Sequence, residues 1–132
     1  MTKQLMDYTQ VELEQLTQKI LENGHVVLHD QDLTRQQLVE TCGRFGEIEE
    51  LDYFMNPKDS PQISIVSGKV VDGKALGMFG PTELEWHANG TGRYNFDEIC
   101  VGLYCVEECI DTVLSLVDQC RAFEELPEKE KE

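Results

Sequence analysis

No stretch of this chain approaches the run of roughly 20 apolar residues that a helix needs to cross a bilayer. Met1-Thr2-Lys3-Gln4 does not lead into the apolar core of a secretion signal, so a soluble, cytoplasmic protein without membrane contacts is expected. Basic residues are scarce. Eleven Lys and Arg face 26 Asp and Glu, for a net charge of -15. Such a field repels phosphate backbones and argues against nucleic acid as a partner. Any small anionic ligand would need a local basic group. Internal repeats and low-complexity linkers are absent as well. Gly90-Thr91-Gly92 lacks the Gly-Lys-Ser/Thr continuation and the strand-to-helix setting of a phosphate loop. The five cysteines are Cys42, Cys100, Cys105, Cys109 and Cys120. Their number is odd and none forms a C-x2-C zinc pair, so reduced, mostly buried thiols are expected.

What is present suits one domain over residues 1–132. The chain is long enough for a core, and 40% of its residues are hydrophobic. Thr9 and Glu12 form a capping box ahead of Val11, Leu13, Leu16, Ile20 and Leu21, and Asn23-Gly24 ends that helix. His25 to His29 reads as a short strand with Val26 and Leu28 on one face. Thr34 and Gln37 cap a second helix carrying Leu38, Val39, Cys42 and Phe45, stopped near Gly46. The period then changes. Ile63–Val66, Leu84–His87, Ile99–Val106 and Thr112–Leu114 read as extended. Val70–Ala75 carries an Asp-Gly hairpin signal. Ser115 or Asp118 opens a last helix through Phe123, which Leu126-Pro127 breaks. Residues 127–132 read as a charged, frayed tail. The order implies an α+β protein with an antiparallel sheet or half barrel, the N-terminal helices flanking it.

The segment with most chemistry is Trp86-His87-Ala88-Asn89. Residues two apart on an extended segment share a face, so His87 and Asn89 can aim at one point. Other readings of the same residues stand beside this one. His87 suits a half-buried strand next to Trp86, and Asn89-Gly90 is a turn dipeptide. Trp86, Tyr94 and Phe96 can wall a substrate pocket or simply pack together. His25 and His29 have metal-pair spacing but sit in a segment that reads as structural. Arg93 reads as a surface loop residue.

Four segments, in order, resemble the taurine dioxygenase family (TauD/TfdA-like) of iron(II)- and 2-oxoglutarate-dependent oxygenases. Val26-Val-Leu-His-Asp-Gln-Asp-Leu-Thr-Arg-Gln-Gln-Leu38 is similar to the family's strand, "D-Q" turn and "T-x-x-Q" helix start. Gly43-Arg-Phe-Gly-Glu47 is similar to its "R-F-G-E". Trp86-His87-Ala88-Asn89 stands where the family has "W-H-x-D", and Asp111-Thr112-Val113-Leu114 resembles its "G-G-D-T-L-W". The resemblance covers nearly the whole chain but only the N-terminal half of a family member.

This resemblance implies a partial double-stranded β-helix (a jelly-roll or cupin-like fold). It also implies an oxidoreductase that uses Fe(II) and 2-oxoglutarate to oxidise a small organic substrate. His87 is then the first iron ligand, Asn89 occupies the carboxylate ligand's position, and Thr112 matches a residue that binds 2-oxoglutarate. A neutral amide is a weaker donor than a carboxylate. The family's distal histidine and arginine have no counterpart here, so the chain alone is expected to lack a complete metal site and to be inactive. A half barrel would expose edges and an apolar face, so a homo-oligomer or a missing C-terminal half is expected as its partner. The alternative is a non-catalytic binding or self-assembling module on the same scaffold.

Overall fold

The computed structural model describes residues 2–48, 56–80, 83–88, 100–108, 110 and 113–131. Its first helix, α1 (Gln10–Asn23), begins where side chains satisfy the free backbone donors. The Thr9 hydroxyl accepts from the Glu12 N–H at 3.3 Å, and the Thr9 N–H donates to Glu12 Oε2 at 2.7 Å. The helix ends at Gly24, whose φ of 75° closes the last turn through a 2.7 Å bond from its N–H to the Ile20 carbonyl. The second helix, α2 (Arg35–Cys42), repeats the device with Thr34 and Gln37. Each such cap is worth about 1 kcal/mol. Both expected capping boxes are therefore present.

The apolar stripe of α1 is only partly covered. Leu13 and Leu16 are buried and Ile20 is half-buried, but Val11 and Leu21 face solvent. With Leu33 they make up the buried hydrophobic core of the described residues.

Two glutamine side chains tie the N-terminal segment across this core. Gln31 accepts from the Leu5 N–H at 2.6 Å and donates to the Lys3 and His29 carbonyls. Gln4 returns the contact, accepting from the Asp32 N–H and donating to the Asp30 carbonyl. Arg44 adds a fork, one arm to the Met6 carbonyl and the other to the Tyr8 carbonyl. The side-chain amides thus do the work that ladder bonds do in a sheet. Residues 25–29 lie extended, with Val26 and Leu28 half-buried and His25, Val27 and His29 exposed. The expected alternation is present, but the expected strand is not, because among the described residues no neighbouring backbone pairs with it.

The expected hairpin forms. Strands β1 (Val70–Val71) and β2 (Lys74–Ala75) pair antiparallel, Val70 opposite Ala75 and Val71 opposite Lys74. Asp72 and Gly73 take φ values of 51° and 75°, as the two-residue Asp-Gly turn demands. Below the hairpin, the Leu76 N–H donates to Lys69 O and the Met78 N–H to Ile65 O. One arm advances four residues between these bonds and the other two, so the extra residues bulge out. Gly77 fills the gap so closely that a Cβ there would lie 2.5 Å from Ser67 N and 2.7 Å from Ile65 O. Only a residue without a side chain fits.

Residues 100–108 were expected to form the strongest strand, yet among the described residues they join no ladder. Side chains dock them instead. The Tyr104 hydroxyl accepts from the Leu33 N–H at 3.0 Å and donates to the Gln31 carbonyl at 3.2 Å. Gly102 lies against Cys42 Sγ, and Lys69 pairs with Glu107. The last helix, α3 (Gln119–Glu124), opens at Asp118, whose side chain accepts from the Arg121 N–H. Glu128–Glu130 form a 3-10 turn beyond Pro127.

The described residues thus give a mixed α/β architecture with three helices and one two-stranded sheet. Ile63–Val66, Leu84–His87 and Val113–Leu114 are likewise outside any ladder. Alternating apolar residues can favour an extended backbone, but a strand also needs a partner for its N–H and C=O groups.

Candidate metal centre

His87 lies on the extended, solvent-exposed segment 83–88, after Trp86, which is 71% exposed. Its Nδ1 is 2.8 Å from the carbonyl oxygen of Glu85. A carbonyl only accepts, so this contact is a hydrogen bond in the tautomer that carries the proton on Nδ1, the one that leaves the Nε2 lone pair free. That is the arrangement of a metal-binding imidazole: one nitrogen donates to a fixed oxygen, and the other is presented outward. Sequence reasoning did not find the Glu85 contact. Its only trace in the sequence is the two-residue spacing that brings a side chain back to a preceding carbonyl.

Asn89, Tyr94, Phe96, Arg93 and Thr112 lie outside the described residues, as does the 90–92 loop. Among the described residues, no three His, Cys, Asp or Glu side chains come together as a metal-binding group. His25 and His29 are exposed. His25 Nδ1 contacts the Asn23 carbonyl at 3.3 Å, which suits surface residues following a helix.

The two N-terminal resemblance segments are architectural, while Asp111 and Thr112 of the last one lie outside the described residues. Gln31, Thr34, Gln37 and Arg44 all spend their polar atoms on helix caps or on the N-terminal segment. A shallow cleft of about 250 Å³, lined by Gln10, Leu13, Glu14, Thr17 and Arg44, contains none of the expected site residues.

Among the described residues, Cys42, Cys100, Cys105 and Cys120 are free thiols, and Cys109 lies outside them. Three are exposed, against the expectation of burial. Cys42 is half-buried between α2 and Gly102, and burial pushes its thiol pKa up, with the nearby Cys100 adding to the effect. At the other end of the described region, Glu12 is held at about 2, well below its usual range. Lys3 donates to both its oxygens at 2.6 and 2.7 Å, and the Thr9 backbone N–H and hydroxyl add to this.

The family described as taurine catabolism dioxygenase TauD, TfdA family matches residues 2–132, and the chain belongs to it. No curated protein and no solved structure matches the chain. No helix among the described residues is long and apolar enough to cross a membrane.

Proposed function

We propose that this chain forms part of an Fe(II)- and 2-oxoglutarate-dependent oxygenase that oxidises a small organic substrate, with His87 as the first iron ligand. The observation that carries the reading is the His87 ring. Its Nδ1 lies 2.8 Å from the Glu85 carbonyl oxygen, which leaves Nε2 for a metal, within Trp86-His87-Ala88-Asn89, a segment that resembles the family's "W-H-x-D" except at Asn89. When bound, iron and 2-oxoglutarate supply the oxidising chemistry. The chain's own part is to present Nε2 at a fixed angle and, through Trp86, Tyr94 and Phe96, to line the space beside it. Asn89 takes the carboxylate's place through its amide oxygen, and Thr112 donates its hydroxyl to a 2-oxoglutarate carboxylate. The framework is one domain of jelly-roll type, and the free thiols suit the reducing cytoplasm.

An anaerobic titration with Fe(II) and 2-oxoglutarate tests this. A visible metal-to-ligand charge-transfer band, lost in His87→Ala and stronger in Asn89→Asp, is the expected result. No band in either the wild type or Asn89→Asp overturns an iron site intrinsic to this chain, and a band restored by adding a C-terminal polypeptide supports a split enzyme.

A second reading is a non-catalytic, self-assembling module, and it is favoured by the exposed apolar surface. Val106, Ile110 and Val113 are 81%, 85% and 83% exposed. Concentration-dependent mass in sedimentation equilibrium, with no charge-transfer band, would favour this reading over the first.

A further inference from the structure

We infer that Cys42 and Cys100 form a redox-sensing pair, two thiols that a peroxide converts into a disulfide joining the end of α2 to residues 100–108. The pair is independent of the proposed iron site. Cys42 is the last residue of α2, and its Sγ lies 3.1 Å from where a Cβ on Gly102 would stand. Residues 100–105 run on without a turn or a bend, so positions 100, 102 and 104 share one face. Tyr104 shows where that face points, since its hydroxyl reaches the Leu33 N–H and the Gln31 carbonyl just ahead of α2. Cys100 therefore stands on the α2 side, one two-residue step of about 6.6 Å beyond Gly102. Gly102 itself puts no side chain over the Cys42 sulfur. Burial raises the Cys42 thiol pKa, and Cys100 is near enough to add to the rise.

The two thiols divide the work by exposure. Cys100 is exposed and Cys42 is half-buried, so peroxide meets the Cys100 sulfur first. The Cys100 thiolate attacks the O–O bond, keeps one oxygen as a sulfenic acid and releases the other as water. Cys42 then attacks that sulfur, forms the S–S bond and expels the oxygen as a second water, the two thiol protons completing both waters. Each disulfide thus takes two electrons to one peroxide, and a reducing thiol reverses the link. A disulfide accepts Cα separations up to about 6.8 Å. Among the described residues no ladder holds 100–105, so this run can slide a fraction of a residue step toward Cys42. Cys105 is a poor competitor, because it stands on the opposite face of the run and its thiol donates to the Glu107 carbonyl at 3.1 Å. By sequence distance alone Cys100 would pair with Cys105 or Cys109, since short loops close at less entropic cost. Pairing with Cys42 closes a loop of roughly 60 residues, so it dominates only where the fold has already brought the two together. Oxidation then fastens a run that Tyr104 and Lys69 hold in the reduced chain.

The full chain, reduced, treated with a small excess of hydrogen peroxide, alkylated and digested without reductant, reveals the pairing by peptide mass spectrometry. The expected result is a Cys42–Cys100 peptide as the main link, formed within single chains and removed by dithiothreitol. In concentrated urea the main link should move to Cys100–Cys105 or Cys105–Cys109, the short loops. Cys42→Ser should leave Cys100 as a sulfenic acid that dimedone traps, and Cys100→Ser should leave Cys42 reduced at the same dose. The linked chain should unfold at a urea midpoint about 1–2 M above the reduced one. Absence of a Cys42–Cys100 peptide from the native chain, links only between chains, or the same distribution of pairs with and without urea overturns the inference.

Discussion

Replacing Tyr104 by Phe removes one oxygen and nothing else, yet that oxygen joins segments 71 to 73 residues apart in sequence. It accepts from the Leu33 N–H at 3.0 Å and donates to the Gln31 carbonyl at 3.2 Å. Leu33 is one of the three buried core leucines, so its N–H has little water to turn to. Two neutral hydrogen bonds are each worth about 1 kcal/mol net, and an orphaned buried donor adds to the loss. Tyr104 is only half-buried, so water recovers part of the Gln31 carbonyl's bonding. The expected cost is about 1–3 kcal/mol, with the ring's packing unchanged. With a urea slope of about 2 kcal/mol per molar, this lowers the unfolding midpoint by about 1 M at unchanged slope. Hydrogen exchange adds a local reading, because the Leu33 amide should lose protection relative to the amides of α1. A midpoint within about 0.2 M of wild type, together with unchanged Leu33 protection, would refute the claim that Tyr104 docks residues 100–108.

Gly77→Ala should destabilise by about 1–3 kcal/mol, because the new methyl meets backbone atoms of Ser67 and Ile65 that no rotamer change can move aside. Gly80→Ala, with nothing within 4 Å of its added Cβ, should stay within about 0.5 kcal/mol, and urea denaturation compares the two. Glu12 titrates at about 2 in the folded chain against an ordinary 4.5, so its stabilising contribution is present above the ordinary value and lost as pH falls through the folded one. Lys3→Met should move the carboxyl resonance of Glu12 back toward the ordinary value in an NMR titration, and added salt should do so in part, since the pair is exposed. Cys42, whose thiol is pushed up chiefly by burial, should be alkylated more slowly at pH 8 than exposed Cys105 and Cys120. Peptide mass spectrometry gives the order, and urea should erase it.

Much of the local structure was legible residue by residue. Thr9 with Glu12 and Thr34 with Gln37 announced both helix starts, because a capping box is satisfied within four residues. Asn23-Gly24, Asp72-Gly73 and Asp118 were equally readable, since each turn or cap depends on one or two backbone angles or one side-chain acceptor. The burial alternation of Val26 and Leu28 was readable too, although the strand was not. Period-2 patterning orients side chains, whereas a ladder depends on which distant backbone lies alongside.

The sequence by itself therefore determined the helix starts, the end of α1, the hairpin turn, the family and His87 as the residue of chemical interest; α2 stops at Cys42, short of the expected Phe45. Each follows from short-range chemistry or from a string of residues in order. Only the tertiary structure decided that the Gln31 and Arg44 motifs serve to hold the N-terminal segment. It alone revealed that Tyr104 fastens residues 100–108 to the core and that Gly77 occupies a gap no side chain can share. These depend on distances between atoms that the chain order does not encode, and an oxygen's choice of partner is settled only when the backbone has already brought both within 3 Å or so.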